Sequence, residues 1–207
     1  METSTVLEKS GENKPPSKIP DYLIYEVVKG KPIYYKGYKE VLAKTKTFEE
    51  IIMESTLQSW FKAHLPAFLL AHLPMEYDVT AGEMGINLNK KDKRGAVVSI
   101  FKIEDLVLNE HFSNVPPEVI FEIDVKAEMK EGMTELDYVL DKIEEYHEFG
   151  VKSVIWIFTR NKKVMVAPKE KPWVTTGWDV SFEVLAGVQV NLAELIANRR
   201  QAPVSKK

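Results

Sequence analysis

The stretch VIFEIDVKAE, residues 119–128, alternates apolar and charged side chains with the period of a β-strand. Side chains alternate between the two faces of a strand, and same-face neighbours lie about 7 Å apart. The pattern therefore predicts that Glu122, Asp124 and Lys126 line one face of a strand. The other face carries Val119, Phe121, Ile123 and Val125.

The charged face has two interpretations. It is either a half-exposed strand face in contact with water, or part of a functional site that holds two acids close together. Close carboxylates in a partly buried site attract a divalent cation, which lowers the cost of keeping both ionised. We therefore predict a Mg²⁺ or Mn²⁺ site formed by Glu122 and Asp124. Lys126 would orient the attacking water or offset the negative charge that develops during phosphodiester hydrolysis.

The rest of the chain predicts a mixed α/β protein. Two short strands are expected in residues 22–38, and a capping box of Thr47 and Glu50 begins a helix that should kink or stop at Pro66. Strands follow between 76 and 108, including DLVL at 105–108, and a second helix spans 134–149. The last part predicts strands at 153–158 and 163–167, a third strand and a short terminal helix. This order predicts a mixed β-sheet flanked by helices.

Length and composition suit one domain, because the chain has 207 residues of which 44% are hydrophobic. We expect a disordered tail over 1–20, a folded domain over 21–198 and a basic tail over 199–207. The chain has no cysteine and no apolar leader, which agrees with a cytoplasmic location. The most apolar run, at 64–73, is too short to cross a membrane, so no membrane partner is expected.

The net charge of −3 excludes a strongly basic nucleic-acid-binding protein. Any binding of DNA should therefore be local, weak and sensitive to salt. Two basic clusters exist, at 89–94 and at 160–163. Each cluster is more typical of an ordinary solvated turn than of a binding site.

Four segments together resemble one known family. They are YEVVKGKPIYYKGY, PPEVIFEI, DKIEEYHEFGVKSVIWI and VLAGVQVNLAELI. In order and spacing they are similar to the Uma-two family of restriction-endonuclease-like proteins, within the PD-(D/E)xK nuclease superfamily. The resemblance covers most of residues 21–197. It implies a restriction-endonuclease-like fold and metal-dependent cleavage of DNA, and a homodimer is consistent with the two cuts that a duplex needs.

The resemblance also implies roles for individual residues. Glu122 falls on the glutamate of the family's strand, and Asp124 with Lys126 supplies the superfamily pattern acid-x-Lys. Many family members instead use a helix lysine in the pattern Lys-x-x-x-Tyr, which Lys142 and Tyr146 match. The resemblance therefore implies that Lys142 contacts phosphate or substitutes for Lys126.

One position departs from the family. The acid expected on the preceding strand falls at or near Val97, which cannot bind a metal. Glu83 and Asp92 are the nearest upstream acids that could replace it, and Glu54 of the first helix could also contribute. Two hypotheses follow. The chain is either a Mg²⁺-dependent DNA endonuclease or a catalytically inactive nuclease fold that serves as a binding or regulatory module.

Overall fold

A computed structural model describes residues 18–199. The predicted tails over 1–20 and 199–207 lie almost wholly outside this range. The helices, after a short 3-10 turn at Asp21–Leu23, are α1 (Tyr38–Leu42), α2 (Phe48–Ile52), α3 (Thr56–His72), α4 (Glu135–Phe149) and α5 (Leu192–Ala197). The strands are β1 (Ile24–Val28), β2 (Lys31–Tyr34), β3 (Tyr77–Asn87), β4 (Lys93–Lys102), β5 (Val119–Ile123), β6 (Ser153–Phe158), β7 (Lys163–Pro168), β8 (Val174–Gly177), β9 (Phe182–Leu185) and β10 (Val188–Val190).

Eight of these strands form one mixed sheet. Its order is β2-β1-β4-β5-β6-β7-β8, and β3 pairs with β4 in a long hairpin. β5 and β6 pair in parallel, and α4 is the crossover between them. β9 and β10 form a separate hairpin. The predicted mixed sheet is therefore confirmed.

Helices cover both faces of this sheet. Phe61, Leu65 and Leu69 of α3 belong to one buried apolar cluster with Phe121 of β5. Val139 and Ile143 of α4 belong to a second cluster, which includes Ile120, the β5 residue just before Phe121. Because neighbouring strand residues enter opposite cores, all five positions of β5 are buried. The predicted fold class, a mixed sheet flanked by helices, is confirmed.

The first helical region differs from its prediction. The capping box of Thr47 and Glu50 is present, but it begins only the five-residue helix α2. A second capping box, Ser55 with Gln58, begins α3, which continues through Pro66 to His72. Of the predicted kink or stop at Pro66, the stop is wrong. Proline costs a helix about 3 kcal/mol, and the buried apolar residues before and after it hold the helix against the sheet.

The charged strand is shorter than predicted. β5 ends at Ile123, and Asp124 has a left-handed backbone conformation with φ of 55°. The following segment runs toward β2, where the N–H of Lys36 donates to the carbonyl oxygen of Lys126 at 2.8 Å. The period-2 alternation therefore stops at Asp124, and the prediction of one charged face is wrong. The expected strand at 105–108 is a loop.

The sheet contains a fork along the edge of β4. Val27 of β1 pairs with β4 at Lys93, and β5 pairs with β4 from Val98 to Ile100. Between these points the backbone of Gly95 bonds side chains on this edge instead of a neighbouring strand. Its N–H donates to Glu26, and its carbonyl oxygen accepts from Lys142 and Tyr146 of α4. We call this place the fork. No helix in residues 18–199 is both long and apolar enough to cross a membrane.

Val97→Asp is expected to destabilise the protein strongly. Val97 is 3% exposed and lies in the apolar cluster beneath α3. An unpaired acid there loses its hydration, so the free energy of unfolding should fall by several kcal/mol. Val97→Ala, the matched control, should cost only about 2 kcal/mol. Urea unfolding measures both variants, and a Val97→Asp protein as stable as the wild type would mean that position 97 faces an open site.

Candidate active site

The fork is filled by charged side chains from four elements, β1, β4, β5 and α4. Glu26 of β1 lies 2.8 Å from the ammonium nitrogen of Lys142 and 2.5 Å from Nη1 of Arg94. The Tyr138 hydroxyl donates to the same carboxylate at 2.6 Å. Burial alone would raise the pKa of Glu26, but Lys142 and Arg94 outweigh it, so the pKa lies below its ordinary value. Glu26 is therefore ionised within the protein interior.

Lys142 is the centre of this network. Its ammonium nitrogen lies 3.1 Å from both Glu122 and the carbonyl oxygen of Gly95. Burial favours loss of its proton, but Glu122 and Glu26 outweigh burial and raise the pKa of Lys142. Four aromatic rings surround the ammonium group at 5.6–5.9 Å, those of Tyr25, Tyr138, Tyr146 and Trp156. Lys142 is 0% exposed, so a substrate phosphate has no access to it in this conformation.

Glu122 of β5 also places its carboxyl group in the fork, beside Lys142. Burial raises the pKa of Glu122 to about 7. The positive charge of Lys142 acts to lower this pKa and the negative charge of Glu26 acts to raise it, and burial outweighs Lys142. The Tyr146 hydroxyl lies 2.8 Å from both Glu122 and the Gly95 carbonyl oxygen, yet it has one hydrogen to donate. A protonated Glu122 resolves this conflict, because it donates to Tyr146, which then donates to Gly95.

The charge balance of the fork also favours the protonated form of Glu122. Arg94 bonds Glu26 on one side and Glu145 of α4 on the other, at 2.7 Å. Arg94 and Lys142 carry two positive charges, and Glu26 and Glu145 carry two negative ones. A third ionised carboxylate would leave an unbalanced charge in a buried place.

Asp124 lies in a different environment from Glu122. Its carboxylate accepts from Gln58 at 2.8 Å and from the backbone N–H and hydroxyl of Thr159 at 2.7 and 2.6 Å. Glu122 and Asp124 therefore share no partner, and the structure does not bring them together as a pair of metal ligands. The reason is the left-handed turn at Asp124, which redirects its side chain toward α3.

A second, more exposed group brings three predicted site residues together. The Lys126 ammonium lies 2.6 Å from Glu54 and 3.0 Å from Glu83. Lys62 of α3 contacts the same two carboxylates and lies 2.9 Å from Glu83. We call these four side chains the Glu54–Glu83 cluster. The side chain of Glu83 is 42% exposed, and those of Glu54, Lys62 and Lys126 are 16–18% exposed, so solvent reaches the cluster mainly on the side of Glu83.

An irregularity in β3 carries Glu83 to the cluster. The β3–β4 ladder shifts register between Ala81 and Met84, and Gly82 has a φ of 122°. Such bulges redirect a side chain. Gly95 of the neighbouring strand lies beside this carboxylate, since a Cβ at Gly95 would be 3.4 Å from Oε2 of Glu83, which is an ordinary contact distance.

Ion pairing sets the charges of the cluster. Partial burial acts to raise the pKa values of Glu54 and Glu83, but the two lysines outweigh it, so both lie below their ordinary values. Burial acts to lower the pKa of Lys126, and hydrogen bonding to Glu54 with the charge of Glu83 reverses the effect, leaving it raised. Glu54, Glu83 and Lys126 are therefore ionised near neutral pH.

The cluster has a donor set that suits a hard divalent cation. Residues 18–199 contain no group of three or more histidine, aspartate or glutamate side chains arranged for a metal. Mg²⁺, however, is typically held by one or two carboxylates with water and phosphate. Glu54 and Glu83 direct oxygens at shared ammonium groups, so a cation in place of those groups would meet both carboxylates.

The remaining predicted residues lie elsewhere. Asp92 accepts from the N–H of Gly30 at 3.2 Å and from Asn89 at 2.8 Å, within a turn. Val97 is in the core. Sequence reasoning missed Glu26, which was detectable as an acid within the apolar strand IYEVV.

Two basic residues were also missed. Arg94 was grouped with the exposed basic run 89–94, yet it is only 3% exposed. Lys62 carried no local signal, because a lysine on a helix is ordinary until its partners, Glu83 of β3 and Glu54 just before α3, are known.

Comparison with known proteins supports the nuclease-like fold. A crystal structure from Anabaena variabilis ATCC 29413, described as "a putative nuclease belonging to DUF820", matches with a TM-score of 0.60. The identity is 13%, and the match covers 83% of this chain and 89% of that chain. No family model matches the chain, and no curated protein does. The chain has a nuclease-like fold. Its membership of the Uma-two family stays a prediction.

Glu122 should make stability depend on pH. Its folded pKa of about 7 lies above the ordinary value of 4.5, so its contribution is complete below about pH 4.5 and is lost as pH rises through 7. The loss should approach about 3 kcal/mol by pH 8. Glu122→Gln removes this titration, so its stability relative to the wild type should improve between pH 4.5 and 8.

Urea unfolding of both proteins across this range measures the difference, in which the titrations of other groups cancel. The matched control is Glu118→Gln, since Glu118 pairs with the exposed Lys152 at the surface. If the difference between wild type and Glu122→Gln is the same at pH 4.5 and pH 8, Glu122 is not protonated in the fork.

Proposed function

We propose that the chain is a divalent-metal-dependent endonuclease that hydrolyses phosphodiester bonds of DNA at the Glu54–Glu83 cluster. The observation that carries the proposal is the meeting of two carboxylates and two lysines at an accessible place on a nuclease-like fold. The fork is a poorer candidate because Glu26, Glu122 and Lys142 are each at most 4% exposed.

Each residue of the cluster has a chemical role in this proposal. Glu54 and Glu83 would hold Mg²⁺ or Mn²⁺, which supplies a more acidic bound water and a polarised phosphoryl oxygen. Lys126 and Lys62, released from the carboxylates, would contact the non-bridging phosphate oxygens and offset the negative charge of the transition state. The raised pKa of Lys126 suits it to act as a charge rather than as a base.

Asp124 would position the cluster without touching the substrate. It holds the chain turn two residues before Lys126, and it accepts from the Gln58 side chain. The same Gln58 side chain accepts from the N–H of Ser55, next to Glu54. Asp124 thus links the segment that carries Lys126 to the segment that carries Glu54, and its loss should loosen both.

A second function is favoured by a different observation. The residues that match the family patterns, Glu122 and Lys142, are buried in the fork and paired with internal charges. In this alternative, the chain is an inactive nuclease fold that acts as a binding or regulatory module. Lys126 and Lys62 would then remain ion-paired with the cluster carboxylates.

Plasmid nicking tests the endonuclease directly. We expect the wild type to nick supercoiled DNA with Mn²⁺, and Glu54→Gln or Lys126→Ala to slow nicking by about 10²-fold or more, because each removes a group that stabilises the transition state. Glu118→Gln and Lys152→Ala alter an ion pair of 2.7 Å outside the cluster and should nick like the wild type. Melting curves confirm that each variant is folded.

Two further results separate the alternatives. Nicking that survives Glu54→Gln but is lost in a folded Glu122→Gln protein would place the reaction centre at the fork. Calorimetric titration with Mn²⁺ should show binding to the wild type that Glu54→Gln/Glu83→Gln abolishes. Negligible heat in the wild type, together with no nicking, would leave the inactive module.

A further inference from the structure

Two lysine-bearing turns are joined at one end of the sheet. The β1–β2 turn meets the β3–β4 turn where the N–H of Gly30 donates to Asp92 at 3.2 Å. Val27 pairs with Lys93 beside this bond. The contact brings together exposed lysines that are distant in sequence, and we call them the lysine tip: Lys29, Lys31, Lys90, Lys91 and Lys93.

The lysine tip concentrates positive charge on an acidic protein. It contains five lysines, whereas the whole chain has a net charge of −3. Asp92 lies among them, and its ionised carboxylate, which accepts from Asn89 and Gly30, offsets one of the five positive charges. Arg94, the next residue after the tip, is buried and takes no part. A local field of this kind attracts polyanions even when the protein as a whole does not.

The backbone of the tip is fixed without a ligand. The Asn89 side chain accepts from the N–H groups of Lys91 and Asp92 at 2.8 and 3.0 Å. The other turn is closed by residues with positive φ, 50° at Lys29 and 69° at Gly30. A partner would therefore restrict only the lysine side chains, which keeps the entropic cost of binding low.

We propose that the lysine tip is a docking surface for the phosphate backbone of duplex DNA. The identity of the partner rests on the proposed endonuclease function. Three tip residues, Lys90, Lys91 and Lys93, belong to the same β3–β4 hairpin as Glu83, and Gly95 of β4 lies beside Glu83. Lys93 is two residues from Gly95, about 7 Å along the strand. A duplex held by the tip thus has phosphates within a few nucleotides of the Glu54–Glu83 cluster.

The test compares two pairs of exposed lysines. Lys90→Ala/Lys91→Ala alters the tip, and Lys162→Ala/Lys163→Ala alters the β6–β7 turn by the same charge. Binding of a short fluorescent DNA duplex is measured by anisotropy in EDTA, which prevents cleavage, from low to moderate salt. We expect the tip variant to bind DNA about tenfold more weakly. The slope of its log affinity against log salt concentration should become shallower by the amount that about two phosphate contacts contribute. The control should bind nearly as the wild type does.

We expect the loss of positive charge to cause the loss of affinity. The charge-conserving variant Lys90→Arg/Lys91→Arg should therefore bind DNA as the wild type does. Equal losses in the tip and control variants would overturn the docking surface, and so would a wild type that binds no duplex at low salt. Binding to anionic vesicles but not to DNA would also overturn it. Tip-dependent binding by a protein that never nicks DNA would remove the endonuclease and leave the docking surface standing.

Discussion

The ammonium group of Lys142 holds the two parts of the sheet together. It reaches Glu26 on β1, Glu122 on β5 and the Gly95 carbonyl oxygen on β4. These are the three strands whose hydrogen-bonded ladders separate at the fork. A buried ion pair is a poor source of stability by itself, but removing one partner leaves an uncompensated charge. The arrangement therefore fixes the relative position of the strands more than it strengthens the fold.

The buried fork and the exposed cluster use the same residue types under different constraints. In the fork, burial raises the pKa of Glu122, and aromatic rings surround the ammonium group of Lys142. In the Glu54–Glu83 cluster, the lysine side chains are partly exposed, and in the proposed function a cation would compete with them for the carboxylates. A nuclease-like fold thus has two acid–lysine groups. The two groups differ in accessibility rather than in residue type. The more accessible Glu54–Glu83 cluster is the proposed reaction site, and the buried fork holds strands in place.

The sequence predicted the elements that depend on local signals. The helix predicted over 134–149 and the strands predicted over 153–158 and 163–167 are confirmed as α4, β6 and β7. The charged row failed because a positive φ at Asp124 leaves no trace in hydrophobic alternation. The resemblance named Glu122 and Lys142 as site residues, each by itself. Their burial as a pair depends on Glu26 and Arg94, which are far away in sequence. Glu54 and Glu83 were suggested singly, and their meeting at Lys126 is a tertiary fact.

The fork also bears on how the protein opens. Only one ladder pair, Val27 with Lys93, joins β1 to β4. The other connections of β1 and β2 to the sheet are the fork side chains, the bond between Gly30 and Asp92, and backbone hydrogen bonds of residues 34–36 with 126–128. Proteins open locally in cooperative units whose free energies differ. We therefore expect the amide protons of the amino-terminal hairpin to exchange faster when the fork loses a charge, while those of β5 and β6 report global unfolding.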